Sequence, residues 1–513
     1  MAFRSLIASA LLLVAAALAG CSGAPKPQDP GSAAGSSGTA GHSGGMPGQG
    51  GAGNAGEGAG DAGHGAASEG GAAGEGNPGG GLDLTFEGRF VRKVAARADG
   101  SLLVLLEKAL DMRVDYVHPQ RELELLTDDG ELISTLTASS KTRFLLDFAV
   151  HDSGDVSALY VSPTEYSLGR FNAQGKSVGE SVIDDTQIDQ DPPAWNGEPP
   201  SSRVEAITRD AGRIAAFGEQ LVVAARTGRH SVLAYRFGFF DDGGGPAYHP
   251  EWRTLVVPPF GMSPVGLKDG GSYDTFSAVQ GPAMVHLALD GAGTIYVGVQ
   301  HSSTGDTQML KAHQKVFGET LVGDADALDM YITRLASSGT RLGTTVVGTP
   351  EDDQLFALRG GADSAWVIGR KEYWNAQGTG FDALVAELDG KSGSFTVREL
   401  DVKRSDIAFD ALPLANGAWL VAGAADWTQN PGGASVSEAS QAFLRGLAED
   451  GSSTPIAIAS GPRHNEARTL LAFGADRYLI GGMTDGPGTH SGDVDASLVR
   501  ASGFLREVRT SRE

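Results

Sequence analysis

One cysteine, Cys21, stands in a chain of 513 residues. Its solitude excludes an intramolecular disulfide and any metal site built from cysteines. Basic residues are also in the minority: 40 Lys and Arg face 63 Asp and Glu, a formal net charge of −23. That balance argues against a nucleic-acid partner and against docking on anionic headgroups, and it favours solubility. There is no His-Glu-x-x-His pair for zinc and no phosphate-binding glycine loop ending in Gly-Lys-Ser/Thr at the required spacing. The apolar run from Leu6 to Leu18 is short of the roughly 20 residues that a membrane-spanning helix needs.

What is present at the start is a secretory signal: Arg4, that apolar run, then small residues leading into the cysteine as Leu18-Ala19-Gly20-Cys21. This order resembles the lipobox of bacterial lipoproteins. The resemblance implies that residues 1–20 are a signal peptide and that Cys21 is acylated and becomes the mature N-terminus, a membrane anchor. Several acyl chains, at roughly 0.8 kcal/mol per buried methylene, hold where one does not. Ser22 follows rather than an aspartate, so the inner-membrane retention signal known for some bacteria is absent. The expected location is the cell envelope, at the outer membrane.

Residues 21–81 then form a tether. From Ser22 to about Gly81 nearly every second residue is glycine and Met46 is the one large apolar side chain. A segment of this composition buries too little surface to offset its ordering entropy, so disorder is expected. As a coil of about 60 residues it spans on the order of 40–45 Å.

Residues 82–513 read as the folded part, and one phrase recurs there: a Gly-containing turn followed by a short apolar strand. Its anchors are Leu102, Val156, Leu221, Ile295, Trp366, Trp419 and Tyr478. A second apolar strand follows each, as in "DMYITRLASSG" from Asp329, "DALVAELDGKSG" from Asp382 and "DASLVRASG" from Asp495. With one strand before and one after, each period supplies four strands, which is a propeller blade. The expected fold is all-β: a seven-bladed β-propeller of four-stranded blades, probed against the alternative of two packed all-β domains. "DMYITRLASSG" and "ANGAWLVAG" resemble the repeats of the seven-bladed bacterial β-propeller repeat proteins, a likeness that implies fold and little about activity. WD dipeptides, the Ser-x-Asp-x-Gly-x-x-Trp box and regularly placed tryptophans are missing.

Long connections fall mainly between the second and third strands of a blade and between blades. Topology puts both classes on one face, which becomes the candidate binding face. A long loop from Phe237, "FGFFDDGGGPAYHPEW", is expected on the opposite face. Trp195, Tyr273, Tyr373, Trp374 and Trp427 lie in the candidate-face loops, and aromatic rings there suit stacking on a sugar. His301 and His490 share that face. Trp366, Trp419 and Tyr478, by contrast, read as core between blades. Asp324 and Asp326, with Asp493 and Asp495, offer oxygen ligands at alternating spacing, which suits calcium. Asp329, Asp382 and Asp495 share one repeat position, which favours structural turn capping over calcium. No other cofactor is indicated. The expectation is a monomeric binding or scaffold propeller for a glycan or protein. The alternative is an enzyme with an axial pocket acting on extracellular polymer.

Overall fold

The computed structural model describes residues 81–513 apart from 109–119, 138–142, 163, 184–210, 228–230, 258–284, 303–313, 315, 323–327, 350–352, 376–377, 403–404, 415–416, 426–439, 457–463, 475, 487–501 and 510–513. Residues 1–80 lie outside the description, as do the signal peptide, Cys21 and nearly all of the tether read from the sequence.

Every sheet has four antiparallel strands, and there are seven sheets. After β1 (Asp83–Glu87), blade 1 holds β2 (Arg89–Ala96), β3 (Leu102–Lys108), β4 (Arg121–Leu126) and β5 (Leu132–Leu136). Blade 2 holds β6 (Phe144–Val150), β7 (Val156–Val161), β8 (Tyr166–Phe171) and β9 (Ser177–Val182). Blade 3 holds β10 (Gly212–Phe217), β11 (Gln220–Arg226), β12 (Val232–Asp241) and β13 (Pro246–Val257). Blade 4 holds β14 (Val285–Leu289), β15 (Ile295–Ser302), β16 (Leu328–Leu335) and β17 (Arg341–Val347). Blade 5 holds β18 (Asp353–Gly360), β19 (Ser364–Asn375), β20 (Gly378–Asp389) and β21 (Phe395–Leu400). Blade 6 holds β22 (Ile407–Pro413), β23 (Trp419–Ala425), β24 (Gln441–Leu447) and β25 (Ser453–Ile456). Blade 7 holds β26 (His464–Ala472), β27 (Arg477–Gly486) and β28 (Ser502–Arg509), and its fourth strand is β1. The protein is a seven-bladed β-propeller.

All seven anchors of the recurring phrase fall in second strands. Those strands are apolar on both sides because each blade is packed between two others, which removes the polar-out alternation of a one-sided sheet. In β3, Leu102, Val104 and Leu106 pack toward blade 7, while Leu103 and Leu105 pack toward blade 2. Among the described residues each of the seven seams holds a core cluster, including the seam that joins blade 7 to blade 1. Trp366 and Trp419 meet edge to face at 5.3 Å in the seam of blades 5 and 6, and Tyr478 fills the seam of blades 6 and 7. The core reading of these three aromatics holds. Outer strands such as β5 and β9 carry exposed residues, as edges do.

Closure of the ring uses both ends of the folded region. β1 pairs with β28 from Asp83↔Arg506 to Glu87↔Ser502, and the Glu507 N–H donates to the Leu82 carbonyl at 2.7 Å. The Asp83 carboxylate takes a hydrogen bond from Arg506 at 2.8 Å. The third-to-fourth-strand turn of blade 1 then rests on β1. At Gly130 (φ +93°) a Cβ would lie 2.8 Å from a Leu84 methyl and 2.9 Å from one of Leu82. Both the left-handed backbone and the close approach require glycine there.

First strands of successive blades pack on one another and form the inner ring. In β2, β6, β18, β22 and β26 the pairing skips a residue, at Arg92, Leu146, Phe356, Phe409 and Arg468 respectively. Such bulges bend a strand and re-aim the extra side chain. The Phe356 and Phe409 rings meet at 5.2 Å, and the Arg468 guanidinium lies 4.7 Å from the Phe409 ring centre.

Three local expectations are revised. The stretch from Phe237 is no long loop. β12 and β13 continue as a hairpin, Phe239↔Tyr248 to Asp241↔Pro246, closed by residues 242–245. Asp241 and Asp242 carboxylates accept the N–H groups of Gly243, Gly244 and Gly245, which fixes that turn. The third strand of blade 7 is β28 (Ser502–Arg509), which takes the last two residues of "DASLVRASG", the rest of which lies outside the described residues. Tyr373 and Trp374 sit in the extended end of β19, paired with Gly380 and Thr379, rather than in a loop.

Candidate functional site

Antiparallel order assigns every connection to a face. Turns between first and second strands and between third and fourth strands share one face, and all thirteen are two to five residues long. The opposite face receives 109–120, 183–211, 258–284, 303–327, 426–440 and 487–501. Length variation is therefore one-sided, and the exception anticipated at Phe237 has become a regular hairpin.

Most of the residues singled out in the sequence fall outside the description: Cys21, Trp195, Tyr273, Trp427, His490, Asp324, Asp326, Asp493 and Asp495. Among the described residues no group of three or more His, Cys, Asp or Glu is arranged to hold a metal ion. Tyr373 and Trp374 end the β19 strand on the long-connection face. His301 is placed by its backbone near the end of β15, directly opposite Asp329 in β16.

That pairing leads to a feature the sequence did not disclose. Asp329 and Asp353 are both fully buried, at 0 % exposure, at the long-connection end of the seam between blades 4 and 5. They converge on Gly348. A Cβ on Gly348 would collide with the Asp329 carboxylate and lie 3.3 Å from Oδ2 of Asp353. Asp353 opens β18, and its Oδ2 accepts the N–H of Thr349 four residues back, which closes the connection between the two blades. Its Oδ1 has no hydrogen-bond partner among the described residues. Burial pushes the Asp353 carboxyl up to about 7, against Thr349 hydrogen bonding, with the Asp329 charge adding to the rise and Lys371 opposing it. Burial likewise raises the Tyr331 phenol, with the Asp329 charge contributing.

The next seam repeats the arrangement with a different cation. Asp382 occupies the strand position of Asp329, and its cross-strand partner is Lys371 where blade 4 has His301. Lys371 Nζ lies 3.8 Å from Asp382 and 2.5 Å from Glu399. Asp406 precedes β22 and accepts the Val402 N–H at 2.6 Å, as Asp353 accepts that of Thr349. Asp329 and Asp382 are thus strand residues rather than turn caps, while Asp353 and Asp406 do the capping.

The inner ring carries a second repeated device. Asp147 in β6 receives Lys93 of blade 1 at 2.7 Å and the Ile214 N–H of blade 3 at 3.1 Å. Asp410 in β22 receives the Arg359 guanidinium of blade 5 at 2.5 Å and the Leu470 N–H of blade 7 at 2.7 Å. Each aspartate therefore ties three consecutive blades on their axial side. A motif spacing can also be placed: Gly175-x-Ser177-x-Gly179 spans the β8–β9 hairpin, so it forms no strand-to-helix nucleophile elbow.

No protein-family model matches the chain, and no curated protein sequence matches it. Solved structures do. A catalytically inactive virginiamycin B lyase from Staphylococcus aureus with quinupristin aligns over 83% of this chain and 97% of its own, at 12% identity and a TM-score of 0.41. The β-propeller domain of the trilobed protease from Pyrococcus furiosus, described as having an open velcro topology, aligns over 83% and 96%, at 8% identity and a TM-score of 0.39. A protein of unknown function from Dyadobacter fermentans aligns over 83% and 98%, at 10% identity and a TM-score of 0.37. All three likenesses are distant.

Proposed function

We propose that this chain is a lipid-anchored envelope protein whose propeller binds an extracellular or periplasmic glycan or protein through its long-connection face. The observation that carries the reading is the one-sided distribution of connection length: a rigid disc with short turns on one face and every long connection on the other. Leu18-Ala19-Gly20-Cys21 and the glycine-rich stretch after it support display on a tether, with acyl chains on Cys21 in the outer membrane. Calcium at Asp324, Asp326, Asp493 and Asp495 belongs to the same proposal, as does a monomeric propeller without a nucleic-acid partner.

The competing enzyme reading needs an axial pocket with converging catalytic groups. On the inner ring Asp147 and Asp410, two of the described carboxylates, are committed to cations and backbone N–H groups. The test has two arms. Cys21→Ser is expected to move the protein from membrane to soluble fraction, and retention in the membrane would defeat the anchor. Glycan-array binding by the Cys21→Ser protein is expected to weaken in Trp374→Ala and Trp427→Ala. An empty array, or variants that bind as before, would defeat sugar stacking.

A further inference from the structure

The seam between blades 4 and 5 holds two acids where its neighbour holds an acid and a lysine. Asp329 and Asp353 converge on a glycine that has no room for a methyl group, and neither is in contact with solvent. Two carboxylates so placed cannot both be ionised without a large electrostatic cost, so one proton is shared or retained. The free Oδ1 of Asp353 is the acceptor site available for it. We propose that the Asp329–Asp353 pair is a proton-operated latch that holds the start of β16 and the start of β18 together at the long-connection face and releases them when the proton leaves.

The groups around the pair set its direction. From β16, Tyr331 lies within the field of Asp329 and stays protonated. From β19, Lys371 pulls against retention of the proton, yet it is itself held by Asp382 and Glu399. From β15, Gln300 donates to the Asp353 backbone carbonyl at 3.4 Å, and His301 is the register partner of Asp329. Within the interblade connection the Thr349 N–H favours the ionised form. Burial and the facing carboxylate outweigh these. In the blade 5–6 seam a lysine stands where blade 4 has the histidine, and its charge, 3.8 Å from Asp382, opposes the rise that burial causes there, so that seam should not switch with the Asp329–Asp353 pair. The role of the face as a binding surface rests on the reading above. The latch does not, and it is measured without any ligand, so the two fail separately.

Amide hydrogen exchange of the full-length protein between pH 5.5 and 8.5, corrected for intrinsic chemical rates, reads the latch at Thr349 and the first residues of β16 and β18. Opening is expected to rise about tenfold per pH unit from pH 5.5 to about 7 and to level off above it, as a proton held only in the closed state requires. Asp353→Asn should remove the rise, and Asp329→Asn should do the same if the first variant does not fold. Asp382→Asn should leave the rise in place. A native profile with no step, a step that survives in folded Asp353→Asn or Asp329→Asn, or one abolished by Asp382→Asn would overturn the assignment.

Discussion

Asp410 accepts the Leu470 N–H at 2.7 Å, so a side chain of blade 6 caps the backbone of blade 7 from inside the ring. The same carboxylate holds Arg359 of blade 5 through both of its oxygens. Asp410 is therefore a three-blade clamp, and Asp147 is its counterpart across blades 1 to 3.

Removing the clamp strands its partners. Asp410→Ala leaves the Leu470 N–H without its acceptor and the Arg359 guanidinium with the Leu470 carbonyl but no countercharge, and a loss of about 3 kcal/mol is expected in chemical denaturation. Asp410→Asn keeps an acceptor for Leu470 and should cost less. Equal losses in the two variants would mean that the charge, not the backbone bond, carries the clamp.

Acid acts on the opposite face of the disc. His151 Nδ1 lies 3.0 Å from the Gly218 carbonyl, and Nε2 lies 2.6 Å from Ser157 Oγ, which in turn meets the Tyr248 hydroxyl. A neutral imidazole fits this chain, donating to Gly218 and accepting from Ser157. Burial, then the Arg170 charge, holds the histidine below its ordinary value of 6.5. Below about pH 6.5 the unfolded chain takes up a proton that the folded protein resists, so this contribution to stability falls as pH falls. His151→Asn should flatten that acid limb.

Asp353 has the opposite slope. Burial raises its carboxyl from the ordinary 3.8 to about 7. Stability from this acid is fully present below about pH 4 and is lost as pH rises through 7. Asp353→Asn should therefore gain on the native protein at pH 8 relative to pH 4, by up to about 4 kcal/mol. Denaturation midpoints at the two pH values check it, and an unchanged difference would show that Asp353 does not hold a proton.

Ring closure depends on five residues. A chain truncated before Gly88 loses β1, including Phe86, which packs with Leu479 and Leu505 in the last seam. It should unfold non-cooperatively or associate through the bare edge of β28. A truncated protein as stable as the native one would mean that closure is dispensable.

The blades were legible because their signal is repeated and periodic. Leu102, Val156 and Tyr478 each begin an apolar run that only a two-sided packing environment explains, and the structure puts all seven runs in second strands. Hairpin extensions at Phe237 and Tyr373 were misread because glycines and aspartates that mark a loop also mark a tight turn at the tip of a longer strand. The Asp329–Asp353 pair was invisible for another reason. The two residues are far apart in sequence and come together only through the packing of β16 against β18, and Gly348 betrays nothing until its missing Cβ is set beside a carboxylate.

The central claim is that the long-connection face does the binding. Its most direct test compares ligand capture by Cys21→Ser protein carrying Trp374→Ala and Trp427→Ala with that carrying Phe217→Ala and Phe240→Ala, which are exposed on the short-turn side. Loss of capture confined to the tryptophan pair is the expected result. Loss confined to the phenylalanine pair would contradict the account.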